Sequence, residues 1–214
     1  MIAACLELLA ASTREHLVSQ VAGKGYFAFV LNGRSSRAVN TALYEERNLL
    51  NRWTDFVSSL EQGREQVGEP ATVNRLIYTV AMSFCCSVDV LTSGDQQRPG
   101  TYFSYLAAFL FAHTFKLNPV KQMEVLQALA GDEKGKLPTD FIFDLGPGNS
   151  KFHLPVKTST RERVVQIFAH HAILNRVYGN RAYLATPVII GETKLEKKTR
   201  KVTEICIPKQ IQIF

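Results

Sequence analysis

The stretch from Leu137 to Asn175 constrains the fold more than any other part of this 214-residue chain. Phe141 and Phe143 alternate with Asp140, Ile142 and Asp144, and Phe152, Leu154 and Val156 alternate with His153, Pro155 and Lys157. Two short runs of period-two alternation around Pro147-Gly148-Asn149 predict a β-hairpin. Helical spacing follows from about residue 158 to Tyr178, so the segment reads strand, turn, strand, helix. A paired strand points one apolar set to one side. Asp140, Asp144, His153 and Lys157 are then left together on the other face. Closing the turn near Gly148 sets Asp140 roughly opposite Lys157, where cross-strand Cβ atoms are about 5 Å apart. A carboxylate and a lysine on one half-buried face suit a divalent metal and a reacting phosphate.

These residues resemble the core of a PD-(D/E)XK nuclease. The run LPVKTSTRERVVQ, residues 154–166, is similar to that of type II restriction endonucleases. In that family an acid on the first strand binds magnesium, a second acid stands two residues before a lysine on the next strand, and a helix follows. Pro138-Thr139-Asp140 matches the first element and Lys157 the last. The resemblance implies an α/β (α+β) fold: a PD-(D/E)XK-like central mixed sheet flanked by helices. It implies Mg²⁺ as cofactor, double-stranded DNA as substrate, a homodimer, and metal-dependent phosphodiester hydrolysis. Asp140 and Lys157 are the catalytic expectations, with Glu162 and Gln166 from the following helix. Ser159, Thr160, Arg161 and Arg163 stand at that helix's start, where backbone amides and guanidinium groups can hold a phosphate.

The sequence departs from the family pattern at two places. Pro155 occupies the position of the second acid, and a proline binds no metal. Asp144 lies on the expected face and Glu162 in the first turn of the helix; either is a candidate metal ligand beside Asp140. Some restriction enzymes of the family resemble the second arrangement. Ser159-x-x-Glu162 also fits a capping box, in which the glutamate only satisfies helix-end amides. The second departure is on the apolar helix before the hairpin, where the family often places a glutamate and this chain has Ser104.

The N-terminal part reads as mainly helical. Residues 2–20 space their leucines as one helix, ended by Gly23-Lys24-Gly25. Tyr26 to Leu31 is a short strand closed by Asn32-Gly33. Ser35 or Ser36 caps a predicted helix to about Glu61, and Thr72 starts another with a regular apolar face. The polar stretch from Ser93 to Pro99 is the expected boundary. It separates a helical subdomain, 1–94, from a nuclease-like catalytic core, 95–214. Gly100 to Phe115 is apolar nearly all round, as in a central helix. Val120 to Leu129 fits strand or helix equally. In the predicted hairpin helix, Val164, Val165, Phe168, Ala172 and Ile173 face inward, and Glu162, Gln166 and His170 form one polar stripe.

Tyr183 to Ile190 and Val202 to Ile207 read as strands. The link between them is basic, a tip that either meets a phosphate backbone or is simply solvated. The end, Ile211-Gln212-Ile213-Phe214, continues a strand or is cut short of a full-length protein.

Net charge is +6, which suits a polyanionic partner without specifying one. The four cysteines form no C-x-x-C pair, so the composition points to a reducing, cytoplasmic setting and away from structural zinc. No apolar run reads as long and clean enough to span a bilayer. Two functions stand at this level. One is a restriction-type endonuclease. The other is a nuclease-fold protein that binds DNA without cutting it, motivated by Pro155 and Ser104.

Overall fold

The computed structural model describes residues 1–63, 68–92, 94–95, 97–120, 123–124, 136–137, 139–158, 163–191, 193–196 and 198–204. It describes the backbone alone at 123, 124, 136, 137, 163, 164, 194 and 204. The chain divides into two compact units, Met1–Phe103 with Glu192–Ile205, and Ser104–Gly191 with Cys206–Phe214. The boundary expected after residue 94 is therefore not a single cut, because a segment from near the C-terminus returns to the first unit.

The first unit begins with helix α1 (Ile2–Ala10), then strand β1 (Thr13–Ser19). A single helix over 2–20 was expected. The chain instead leaves the helix at Ala11 and pairs β1 antiparallel with β2 (Tyr26–Leu31). Strand pairing outweighs local helical spacing here, and Leu17 gains a buried place beside Tyr26 and Ala28. Asn32 and Gly33, at φ 50° and 73°, make the two-residue turn into β3 (Arg34–Ser35). Strand β4 (Val39–Asn40) also pairs with β2.

The long helix expected from Ser35 or Ser36 is confined to α2 (Leu49–Glu61). Ser36 caps no helix: it is buried, and its Oγ accepts from Phe29 N at 2.9 Å. The N-terminal part is thus a mixture of helix and sheet. Helix α3 (Pro70–Leu91) starts with proline in its first turn, and the Glu69 carboxylate accepts from Thr72 N at 2.9 Å. By length and composition α3 could cross a bilayer, contrary to the expectation that no run could. Much of it is core of this unit: Val80, Ala81, Cys85 and Cys86 are fully buried. Burial pushes the Cys85 thiol up to about 11 and Cys86 further, so neither is a ready thiolate. Helix α4 (Gln97–Phe115) begins in this unit.

In the second unit, β5 (Met123–Glu124) pairs with β6 (Lys136–Leu137); the rest of 121–135 lies outside the described residues. The hairpin strands are β7 (Phe141–Phe143) and β8 (Lys151–Leu154), continued after Pro155 by β9 (Val156–Lys157). Helix α5 (Arg163–Tyr178) follows, then β10 (Tyr183–Ala185) and β11 (Val188–Ile189). β10 lies parallel to β8, and β11 parallel to β9. The same offset holds in both pairs, so Pro155 and Pro187 face each other at the interruption. Proline has no N–H to donate to a ladder, which accounts for the break.

Both faces of this sheet are buried, not one. On one side Phe143 and Phe152 pack against Phe115 of α4, with ring centroids 5.3 and 5.1 Å apart. On the other, Ile142 and Tyr183 meet Leu174 of α5. The phase of α5 differs from expectation. Among its described residues Ile167 and Leu174 are buried and Ile173, as expected, packs against the Leu174 cluster, while Ala172 is exposed and Val165 is 66% exposed. The inward stripe runs 167, 170, 171, 174 at helical spacing, so both histidines lie along it, half-buried.

The chain returns to the first unit as β12 (Thr193–Glu196) and β13 (Lys201–Glu204). β13 lies parallel to β1, making the order β12-β13-β1-β2-β3. The basic link is therefore itself half strand.

Candidate active site

The site is built within the second unit. Residue 140 immediately precedes β7, at the point where that strand begins to pair. Phe141 faces Leu154 in the antiparallel register, and continuing it by one residue sets Asp140 against Pro155. Lys157 is thus diagonal to Asp140, two residues beyond the directly opposite position that the turn at Gly148 suggested. The diagonal is within reach of a long side chain. Lys157 Nζ donates to Asp140 Oδ2 at 2.7 Å.

The same Oδ2 accepts from the Val156 backbone N at 2.9 Å. The reason is the ladder. The carbonyls of His153, Pro155 and Lys157 accept from Thr186, Val188 and Ile190 on the parallel side. Val156 N therefore points the other way, toward β7, and the carboxylate there stands in for a main-chain acceptor. The two side chains are mostly covered, at 29% exposure for Asp140 and 15% for Lys157. An ammonium held there by a single carboxylate oxygen is a fixed positive charge at the sheet's surface.

Two histidines absent from the expected catalytic set stand in the field of this pair. His153 lies on β8 opposite Ile142 and is 1% exposed. Neither of its ring nitrogens has a hydrogen-bond partner among the described residues. Burial first, and then His170, holds its pKa down at about 4, with Asp140 acting the other way. Its ring centroid is 6.3 Å from that of His170 on α5. His170 is lowered too, by burial first and then by Lys157. The signal for His153 was present in the alternation, which put it on the face of Lys157. His170 was on the polar stripe with Glu162 and Gln166, but nothing in the sequence set it beside His153.

Asp144 is not brought to the pair. It lies four residues along, about 13 Å at strand rise. Its carboxylate takes Lys151 Nζ at 2.6 Å and Gly146 N at 3.0 Å. The Lys151 bond, with that amide, holds it below the usual carboxylate range. This is a turn-closing ion pair and not a second ligand beside Asp140. Gln166 is exposed on α5, one turn before His170. Ser159, Thr160, Arg161 and Glu162 lie outside the described residues, as does the side chain of Arg163. Ser104 stands on α4, a helix with no carboxylate anywhere along it.

Magnesium is commonly held by one or two carboxylates with water and substrate phosphate completing the shell. Asp140 fits as one such ligand, since no described residue bonds its Oδ1. Among the described residues no group of three or more His, Cys, Asp or Glu comes together as a cage. The directly opposed position is the apolar Pro155, which offers no carboxylate.

The sequence matches no family model and no curated protein. The structure is similar to the crystal structure of the Type IIP restriction endonuclease Kpn2I. The TM-score is 0.79 at 25% sequence identity, over 98% of this chain and 73% of that one.

Proposed function

From the premise that the chain has a restriction-endonuclease-like fold, we propose that it is a type II restriction-type endonuclease. It hydrolyses phosphodiester bonds in double-stranded DNA with Mg²⁺, as a homodimer in the cytoplasm. The likeness to a restriction endonuclease supports a nuclease-like, DNA-binding protein in general. The observation that carries the finer reading is the Lys157–Asp140 bond of 2.7 Å at the edge of a sheet buried on both faces.

Asp140, with Glu162, would hold the cation, which would supply Lewis acidity and lower the pKa of a bound water. Lys157 presents its ammonium to the scissile phosphate and offsets the charge that builds there during in-line attack. It also orients the attacking water. Asp140 fixes the lysine's direction through Oδ2, which leaves its second oxygen for the cation that it would hold. Ser159, Thr160, Arg161 and Arg163 contact the phosphate backbone at the start of α5, and Gln166 stands one turn further. The products are a 3′-hydroxyl and a 5′-phosphate.

Incubation of plasmid and genomic DNA with Mg²⁺, followed by sequencing of the ends, tests this. Cleavage should stop in EDTA and in Lys157→Ala. A second reading, DNA binding without cleavage, is favoured by one observation: Pro155 stands where a second carboxylate would face Asp140. Duplex binding with intact plasmid at every Mg²⁺ and Mn²⁺ concentration would select it.

A further inference from the structure

Half of the chain's net charge sits in one short hairpin of the first unit. Residues 193–204 carry five cations, Lys194, Lys197, Lys198, Arg200 and Lys201, against Glu196 and Glu204, a net of +3 out of +6. The hairpin is firmly seated. Leu195 and Val202 pair across it, and both pack on the core formed by Leu17, Tyr26, Ala28 and Ala38. Arg200 has φ 55° and is fully committed: its guanidinium takes Glu15 Oε2 at 2.7 Å and Ser35 Oγ at 2.9 Å. Its role is to tie the turn to β1 and β3.

Lys198 is exposed and Lys201 half-buried, and neither makes an ion pair with a described residue. Glu196 faces Lys201 in the register, yet its Oε2 accepts from Thr199 Oγ at 2.7 Å. Among the described residues β12 is the edge strand of its sheet, and no further strand covers this cationic hairpin. A rigid, uncovered, cationic ribbon lets lysines meet a row of phosphates without first ordering a loop.

We infer that the β12–β13 hairpin is a contact for the phosphate backbone of duplex DNA, made through Lys198 and Lys201 beside the anchoring Arg200. It reads no bases and contributes equally to all sequences. The inference rests on the nuclease reading for its partner, although its residues lie outside the proposed catalytic set.

The test uses the full chain, a duplex of random sequence and EDTA, so that nothing is cut. Fluorescence anisotropy across a KCl series gives the slope of log K against log salt. Lys198→Ala should flatten that slope by roughly 0.9, and Lys198→Ala with Lys201→Ala by roughly 1.8, at about 0.9 per phosphate contact. Lys198→Arg with Lys201→Arg should retain the wild-type slope. Lys198 is at an exposed turn position, so the single variant keeps the test usable if the double variant fails to fold. A wild-type protein that binds duplex while Lys198→Ala keeps the full slope overturns the hairpin contact and leaves the nuclease reading standing. A wild-type protein that binds no duplex at any salt overturns both.

Discussion

Asp140 Oδ2 accepts two hydrogen bonds, one from the Lys157 ammonium at 2.7 Å and one from the Val156 amide at 2.9 Å. One oxygen thus serves the strand and the lysine together. Replacing Asp140 by Ala should leave a mostly covered ammonium and a ladder amide unsatisfied. A loss of about 1–3 kcal/mol is expected, read from urea unfolding. Lys157→Ala keeps the amide's acceptor and should unfold closer to wild type. Its cleavage rate should nonetheless fall on the order of 10²–10³-fold, as for loss of one charge-stabilising donor, with duplex affinity in EDTA nearly unchanged. Equal stability losses in both variants, with cleavage retained, would reduce the pair to a structural cross-strand bond.

The second carboxylate gives a sharper test. The register sets position 155 against Asp140, and there the chain has Pro155. If Glu162 supplies the missing ligand, Glu162→Gln should raise the Mg²⁺ concentration needed for cleavage and lower the rate at saturation. Adding Pro155→Asp to that variant returns a carboxylate to the opposed position. It should recover part of the rate and bring the Mg²⁺ dependence back toward wild type. If Glu162 only caps its helix, Glu162→Gln will shift the melting temperature and leave the Mg²⁺ curve where it was.

His153 predicts a pH dependence of stability. Burial holds its pKa at about 4 in the folded chain, below the ordinary value of 6.5. Between those two values the unfolded chain binds the proton and the folded chain does not. Stability is therefore complete above about pH 6.5 and declines as pH falls toward 4. A shift of this size corresponds to roughly 3 kcal/mol at most. Urea midpoints measured across that window should fall with pH in the wild type. His153→Phe, which cannot take up the proton, should flatten that part of the curve. An unchanged slope in that variant would assign the acid sensitivity to other groups.

The hairpin and its polar face were legible because strand alternation survives even when both faces are buried. Phe141, Phe143, Phe152 and Leu154 share one side whatever covers the other. The exact pairing was not legible, since a seven-residue connection from Asp144 to Ser150 leaves the register open by two. Residues 12–20 misled for a different reason. Leu17 continues the leucine spacing of α1, but β1 is set by its pairing with β2 and with β13, which arrives more than 180 residues later. No local window contains that partner. On α5, Val165 is apolar and outward, while Ile167 and Leu174 are inward. Hydrophobicity alone cannot fix a helix's phase when both flanks carry apolar residues. His153 and His170 were each on a polar face in the sequence, but that the two rings approach each other was not legible, because no local window contains both β8 and α5.

The Arg37–Asp89 pair offers a test of the first unit alone. Arg37 Nε donates to Asp89 Oδ2 at 2.7 Å and Nη2 to Oδ1 at 3.0 Å, with the Arg37 backbone N adding a third bond at 2.9 Å. Asp89 is 11% exposed and sits on α3, in the part of the helix that carries the fully buried Cys85 and Cys86. A charge left behind in such a place costs more than the pair itself contributes. Arg37→Ala should therefore lose about 3–5 kcal/mol, because Asp89 is then buried with only one amide as donor. Arg37→Met with Asp89→Leu removes both charges at similar volume and should recover most of that loss. The pair would then be a device for fixing how β3 and β4 are joined across α3, not a large source of stability. Denaturant unfolding of the single and double variants decides it: a double variant as unstable as Arg37→Ala would make the ion pair itself the stabilising element.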